Sequence, residues 1–217
     1  MLKKVTLLLA LCLCLSASAL PTRAEAPKMA LTFDDGPHPV YTPKILDILK
    51  ENNIRATFFL IGENAEKHPE IVRRIIAEGH EIGNHTYSHP HLQKINEKQL
   101  TKELKKTEDL LLDKFGYRPV LFRPPEGFCC AAVKNCASNM NYTLTLWDID
   151  TTDWAHNPVK NIVNTVTSNA GDGRIILCHD FVTKPSPTPE AIEIVIPRLK
   201  AMGYNLVTVS ELKKTDP

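Results

Sequence analysis

Short apolar runs alternate with amphipathic segments along nearly the whole chain, about seven times, and no Gly/Ser-rich linker interrupts them. "KMALTF" (28–33), "RATFFLIG" (55–62), "EIGNH" (81–85), "VLFRPP" (120–125), "YTLTLWDID" (142–150), "GRIILCHD" (173–180) and "NLVTVSEL" (205–212) read as strands. Helical spacing of apolar residues marks 42–52, 68–80, 96–116, 130–140, 159–170 and 188–203. Thr42 and Pro43 suit the N-cap and first position of the first helix, Gly116 suits the end of the third, and Pro197 is expected to kink or delay the last. This order predicts one α/β domain built on a parallel sheet, either a barrel or an open sheet. With 217 residues the chain is long enough for one such domain and its core.

The strands share a second pattern. The first runs into Asp34 and Asp35, the third into His85 with His89 four residues on, "VLF" into Arg123, "TLTLWDID" into Asp150 and then Asp153-Trp154, and "RIILC" into His179-Asp180. In parallel α/β folds the active site lies at the C-terminal ends of the strands. A single charge there is ordinary loop solvation; five strands delivering acids, imidazoles and a guanidinium to one rim predict a catalytic site.

His85 and His89 are spaced H-x3-H, which on one turn of helix points both imidazoles the same way. A carboxylate from Asp34 or Asp35 would complete a set of two histidines and one aspartate, the open arrangement of a catalytic metal. Adjacent residues on a strand face opposite sides, so the two aspartates can serve one site only if the backbone turns, and Gly36-Pro37 supply a turn. "HEIGNH" (80–85) resembles H-E-x-x-H, but position 84 is Asn, so His80 reads as structural. No G-x-S-x-G, P-loop or G-x-G-x-x-G is present, which argues against a serine hydrolase and a nucleotide enzyme.

Charge narrows the partners. The 26 basic and 25 acidic side chains leave a net charge of +1 and give no electrostatic reason to expect nucleic acid or an anionic membrane. No protein partner is implied. The N-terminus has two lysines, an apolar stretch from Val5 to Leu15 and a small-residue ending at Ala19, the pattern of a secretory signal peptide over residues 1–19, with a second candidate cleavage site ending at Ala26. The stretch is short for a membrane span, so an uncleaved anchor is the lesser reading. The expected location is outside the cytoplasm, secreted or in the periplasm or cell envelope. Cys129, Cys130, Cys136 and Cys178 then meet an oxidising compartment, and a local bridge from Cys129 or Cys130 to Cys136 is expected.

Taken in register, "TFDDGP" (32–37), "HTYSH" (85–89), "RPPEG" (123–127), "DTTDW" (150–154) and "LCH" (177–179) resemble the five motifs of the polysaccharide deacetylase family, the NodB homology domain or carbohydrate esterase family 4. The resemblance runs from residue 28 to about 212 and implies that 27–217 form one NodB-type domain, a distorted (β/α) barrel of about seven parallel strands. It implies a metal-dependent carbohydrate N-deacetylase acting on peptidoglycan or a chitin-like glycan, with O-deacetylation of xylan or an inactive, sugar-binding relative as alternatives. The metal would be one divalent ion, zinc first, then cobalt, nickel or manganese, held by Asp35, His85 and His89. Asp34 would be the general base, held by Arg123; His179 the general acid, held by Asp153 with Trp154 beside it; Leu177 would line the acetyl pocket. The family usually has Tyr after R-P-P, and its backbone N–H serves the oxyanion. Here Glu126 stands there, which keeps the backbone donor but puts a carboxylate at the rim, where it could alter substrate choice.

Overall fold

The computed structural model describes residues 26–181 and 185–214; the expected signal segment, with Cys12 and Cys14, lies outside them. Among these residues eight strands form one sheet: β1 (Lys28–Asp34), β2 (Thr57–Leu60), β3 (Glu81–Asn84), β4 (Leu121–Phe122), β5 (Thr143–Leu144), β6 (Ile149–Asp150), β7 (Arg174–His179) and β8 (Asn205–Val207). All pairings are parallel, in the order β5-β4-β3-β2-β1-β7-β6. The eighth strand shares an edge of β1: Lys28–Ala30 pair with β8 and Thr32–Asp34 with β2. The result is the expected curled barrel, open between β5 and β6. Among the described residues eight α-helices accompany it: α1 (Tyr41–Glu51), α2 (Gly62–Lys67), α3 (Pro69–Ala77), α4 (Glu97–Phe115), α5 (Ala131–Asn139), α6 (Val159–Ser168), α7 (Thr188–Ala201) and α8 (Val209–Lys213).

β1 is buried on both faces, and its alternation assigns them. Met29, Leu31 and Phe33 pack with Leu46 and Leu49 of α1, Ile75 of α3 and Leu199 of α7. Burying each of these large side chains contributes about 1.5–3 kcal/mol. Ala30 points the other way, into a second cluster with Phe59, Leu121, Ile175 and the α8 residues Val209 and Leu212. Thr32 and Asp34 share the parity of Ala30. Asp34 therefore stands on the inner face of the sheet, at the C-terminal end of its central strand.

Several sequence expectations change. The strand expected at 205–212 ends at Val207, because Thr208 and Glu211 form a reciprocal capping box that starts α8. The strand expected at 142–150 is two strands on opposite edges of the opening: Thr145 N–H donates to the Phe122 carbonyl and Asp148 N–H to the Ile175 carbonyl. Helix α1 begins at Tyr41, not after Thr42; the ring Nδ1 of His38 accepts the N–H of Val40 and Tyr41, 3.0 and 3.1 Å away. Helix α7 continues past Pro197 to Ala201. The expected bridge between Cys136 and Cys129 or Cys130 is not formed; all four described cysteines are free thiols, and the Cys136 sulfur lies 3.3 Å from Thr101 Oγ1. Helix α4 agrees with expectation, capped by Asn96 with Gln99 and ended by left-handed Gly116.

Candidate active site

The inner face of β1 meets β4 through one buried cation. Arg123 is 0% exposed and follows β4 directly. Its guanidinium donates to Asp34 Oδ1 at 2.7 Å, Thr32 Oγ1 at 2.8 Å, and the carbonyls of Leu146 at 3.0 Å and Thr145 at 3.3 Å. It also lies over the Phe59 ring, 4.0 Å from its centroid. One planar fork thus spans the opening between β5 and β6 and fixes Asp34. A buried charge needs this many partners, since desolvation otherwise outweighs pairing.

Asp35 leaves the strand. Its φ of 75° is left-handed, a region that aspartate tolerates better than most residues. Asn64 donates to its carbonyl at 2.7 Å, and Ile61 N–H donates to Gly36 O at 3.1 Å, so the start of α2 holds the turn. The side chain faces two imidazoles: Asp35 Oδ1 is 3.4 Å from Nε2 of both His85 and His89. The histidines are not on a helix as expected. They sit on an irregular loop in which Thr86 and His89 have φ of 68° and 52°. Asn84 Oδ1 accepts Thr86 N–H, and Glu103 of α4 accepts Tyr87 and Ser88 N–H at 3.0 and 2.8 Å. Those bonds replace the helical ones and still bring both rings to one point.

This cluster fits a divalent cation. His85 Nδ1 is 2.7 Å from the Arg123 carbonyl, which only accepts, so that nitrogen carries the proton and Nε2 is left to ligate. Asp35 Oδ1 is buried and accepts no hydrogen bond among the described residues. The three donor atoms lie within 4.8 Å of one another. Two imidazoles and a carboxylate are a common catalytic donor set. Burial alone would raise Asp35, but His85, His179 and His89 hold it below the usual carboxylate range, and although burial opposes it, Asp34 and Asp35 raise His85. Burial and the neighbouring His85 push His89 down, toward the neutral form a ligand needs.

On the neighbouring strand β7, in register with Asp34, stands the second pair. Asp153 is 0% exposed and accepts four hydrogen bonds: from His179 N–H at 2.7 Å, His179 Nδ1 at 2.8 Å, Thr188 Oγ1 at 2.6 Å and Trp154 N–H at 3.0 Å. His179 Nδ1 is thereby committed, and Nε2 is the nitrogen left to exchange a proton. Burial opposes the charged imidazole, but the Asp153 hydrogen bond and charge, with Asp34 and Asp35 behind them, raise it to about 9.

Asp34, Asp35, His85, His89, Glu126, Trp154, Leu177 and His179 line one cavity of about 470 Å³, with Arg123 and Asp153 buried behind its wall. Every site residue expected from the sequence is therefore brought together. His80 is elsewhere: its Nδ1 accepts Ala56 N–H, and burial lowers it to about 4, so it stays neutral.

Two contributors were missed. Trp147 also lines the cavity, and a Cβ at Gly127 would come within 2.7 Å of its ring, so only glycine lets the Glu126 turn close on it. Asp180 is fully buried behind the Asp35 turn, pushed up to about 7 by burial; Thr42 donates to it at 2.6 Å, and a Cβ at Gly36 would lie 2.1 Å from its carboxylate. The signal for Trp147 was its place in the segment that crosses the barrel opening; Asp180 was visible only as the neighbour of His179.

Comparison with known proteins agrees with this geometry. A family profile described as polysaccharide deacetylase matches residues 22–145. A peptidoglycan-N-acetylglucosamine deacetylase of Bacillus cereus is 44% identical over 189 residues, 87% of this chain and 69% of that protein. The peptidoglycan-N-acetylmuramic acid deacetylase PdaC of Bacillus subtilis is 42% identical over 186 residues, 86% of this chain and 38% of that protein. A solved family 4 acetyl xylan esterase from Clostridium thermocellum, in complex with a cobalt ion, matches with a TM-score of 0.81 at 36% identity, over 86% of this chain and 90% of that one.

Proposed function

The chain belongs to the polysaccharide deacetylase family, and on that premise we propose that it is a metal-dependent N-deacetylase of the cell-wall glycan, hydrolysing the acetamide of N-acetylglucosamine-type sugars to acetate and an amine. The observation that carries the reading is the meeting of two built pairs in one cavity: Asp34 with Arg123 beside the Asp35–His85–His89 cluster, and His179 with Asp153 on the neighbouring strand, where His179 is the register partner of Asp34. The relatives that act on peptidoglycan support the substrate, and the signal-like N-terminus supports a location at the envelope or outside the cell.

Asp35, His85 and His89 are the ligands in this reading, and zinc suits two imidazoles and a carboxylate, with cobalt, nickel or manganese as alternatives. When bound, such an ion polarises the acetamide carbonyl and acidifies the attacking water. Asp34, oriented by Arg123, takes the proton as water attacks. The Glu126 backbone N–H meets the oxygen on which charge develops. His179, charged because Asp153 is beside it, gives its Nε2 proton to the departing amine. Leu177 and Trp154 bound the space for the acetyl methyl.

Acetate release from peptidoglycan, chitin oligomers and acetylated xylan, each with and without a chelator, tests this. The expected result is chelator-sensitive release from the N-acetylated glycans. Release from xylan alone would establish the O-deacetylase reading that the similarity to the esterase favours; glycan binding without release would establish an inactive relative.

The Asp153–His179 pair sets a pH dependence. Asp153→Asn removes the charge that raises His179 and leaves burial, which lowers it. The acid is lost once pH exceeds its pKa, so the alkaline limb of kcat/KM should move toward lower pH by about one to three units. A pH–rate profile with an unmoved alkaline limb would remove His179 from the acid role.

A further inference from the structure

Two charged side chains that line the cavity, Glu126 and Asp150, have no part in the chemistry above, and Glu126 is the more exposed of them. We propose that the Glu126 carboxylate is a specificity-determining group: it makes the cleft discriminate against a sugar that carries a free carboxylate next to the reacting acetamide, as a muramic-type residue without its peptide does, and so selects the glucosamine-type residue. This rests on the deacetylase reading and deepens it, because relatives named for each of the two sugars match this chain about equally well.

The geometry places the charge. Glu126 lies in the turn Pro125–Gly127 with a left-handed φ of 55°, and Gly127 packs directly on the Trp147 ring, so the turn is held against the cavity wall. The side chain is 52% exposed, and Oε1 lies 2.9 Å from His91 Nδ1. It shares the cavity with the Asp35–His85–His89 cluster.

The chemistry of the sugar does the rest. A muramic residue carries its lactyl ether on C3, the carbon next to the C2 that bears the acetamide. Once the acetamide is seated at the cluster, the lactyl group lies in the same cavity whichever way the glycan runs. Its carboxylate would meet Glu126 and Asp150, which lines the same cavity and whose Oδ1 accepts Thr152 N–H at 2.8 Å. The positive groups nearby are engaged: Arg123 by Asp34 behind the wall, and His179 by Asp153, with its Nε2 given to the departing amine. Like charges brought together in a partly desolvated cleft are a means of rejection. A hydroxyl at C3, as in N-acetylglucosamine, meets no such repulsion.

The test uses the metal-loaded enzyme and one glycan in two forms. Peptide-free peptidoglycan strands are compared as free lactyl carboxylates and as the same strands with those carboxylates converted to methyl amides. Deacetylated residues are located by mass spectrometry. Wild type should deacetylate muramic residues about tenfold better in the amide form, a difference worth about 1.4 kcal/mol. Glu126→Gln, which keeps the size and the backbone N–H, should bring the ratio below about threefold. Because the group is half exposed, about 0.5 M salt should do the same to wild type. Equal rates on the two forms in wild type, or an unchanged ratio in Glu126→Gln, would overturn the proposal. If neither form releases acetate, the deacetylase reading fails, and calorimetric binding of the same two strands still decides the inference by the same ratios.

Discussion

Asp35→Asn is expected to strip the protein of its divalent ion and of acetate release together. The substitution is chosen for its backbone. Asp35 has φ of 75°, where alanine is strained by about 1–2 kcal/mol and asparagine is tolerated. The bonds that hold the turn run to main-chain carbonyls and are unaffected. What is lost is one negative charge facing two imidazoles at 3.4 Å. Changes to groups that only support a ligand cost about 10–100-fold in metal affinity, so loss of an anionic ligand itself should exceed that. Metal content after dialysis and acetate release should fall in parallel, and excess metal should restore activity only partly. A variant that kept one ion per chain and full turnover would show that Asp35 is not a ligand.

Strand geometry made it legible that the two aspartates could reach one site only through a turn; which of them would face the histidines was implied only by the family resemblance. Asp34 has the parity of Ala30 and Thr32, so it continues the inner face of β1, where Arg123 lies; Asp35 falls beyond the strand, where the turn redirects it. The delivery of Asp34, His85, Arg123, Asp150 and His179 to one rim was equally legible, because an apolar run that ends on an ionisable residue marks the C-terminal end of a parallel strand.

What was not legible depends on tertiary partners. The segment 142–150 reads as one extended run because nothing in its alternation reveals that its two ends pair with different neighbours across an opening filled by a guanidinium from another strand. Thr42 looks like an N-cap by type and position, yet its hydroxyl goes to Asp180, 138 residues away, and a histidine ring takes over the capping. The H-x3-H pair converges as predicted but not by helical geometry, since Glu103 and Asn84 satisfy a loop that sequence spacing cannot distinguish from a turn of helix. The box Thr208-x-x-Glu211 was a readable helix start that the apolar run "NLVTV" masked.

Asp34→Asn is expected to keep the metal and lose turnover, with kcat falling by about 10²–10⁴, the usual contribution of a positioned base, and KM changing little. The substitution has a second effect that must be separated from the first. Arg123 is fully buried, and among the described residues Asp34 is its one carboxylate partner. Asparagine still offers an oxygen at the same place, but the guanidinium charge is left uncompensated, and breaking such a pair typically costs about 3–5 kcal/mol. The thermal midpoint of the single variant should therefore drop, and some loss of activity could reflect loss of fold. Removing both charges distinguishes the two. In Asp34→Asn with Arg123→Met, an apolar side chain of similar reach replaces the guanidinium between the Phe59 and Trp147 rings, and buried pairs replaced together are often neutral in stability. Stability should recover relative to the single variant while turnover stays lost, because the proton acceptor is still missing. Far-UV circular dichroism, metal content and acetate release on the wild type and both variants read these outcomes separately. Recovery of activity along with stability would make Asp34 a structural partner of Arg123, and the base would have to be sought elsewhere in the cavity.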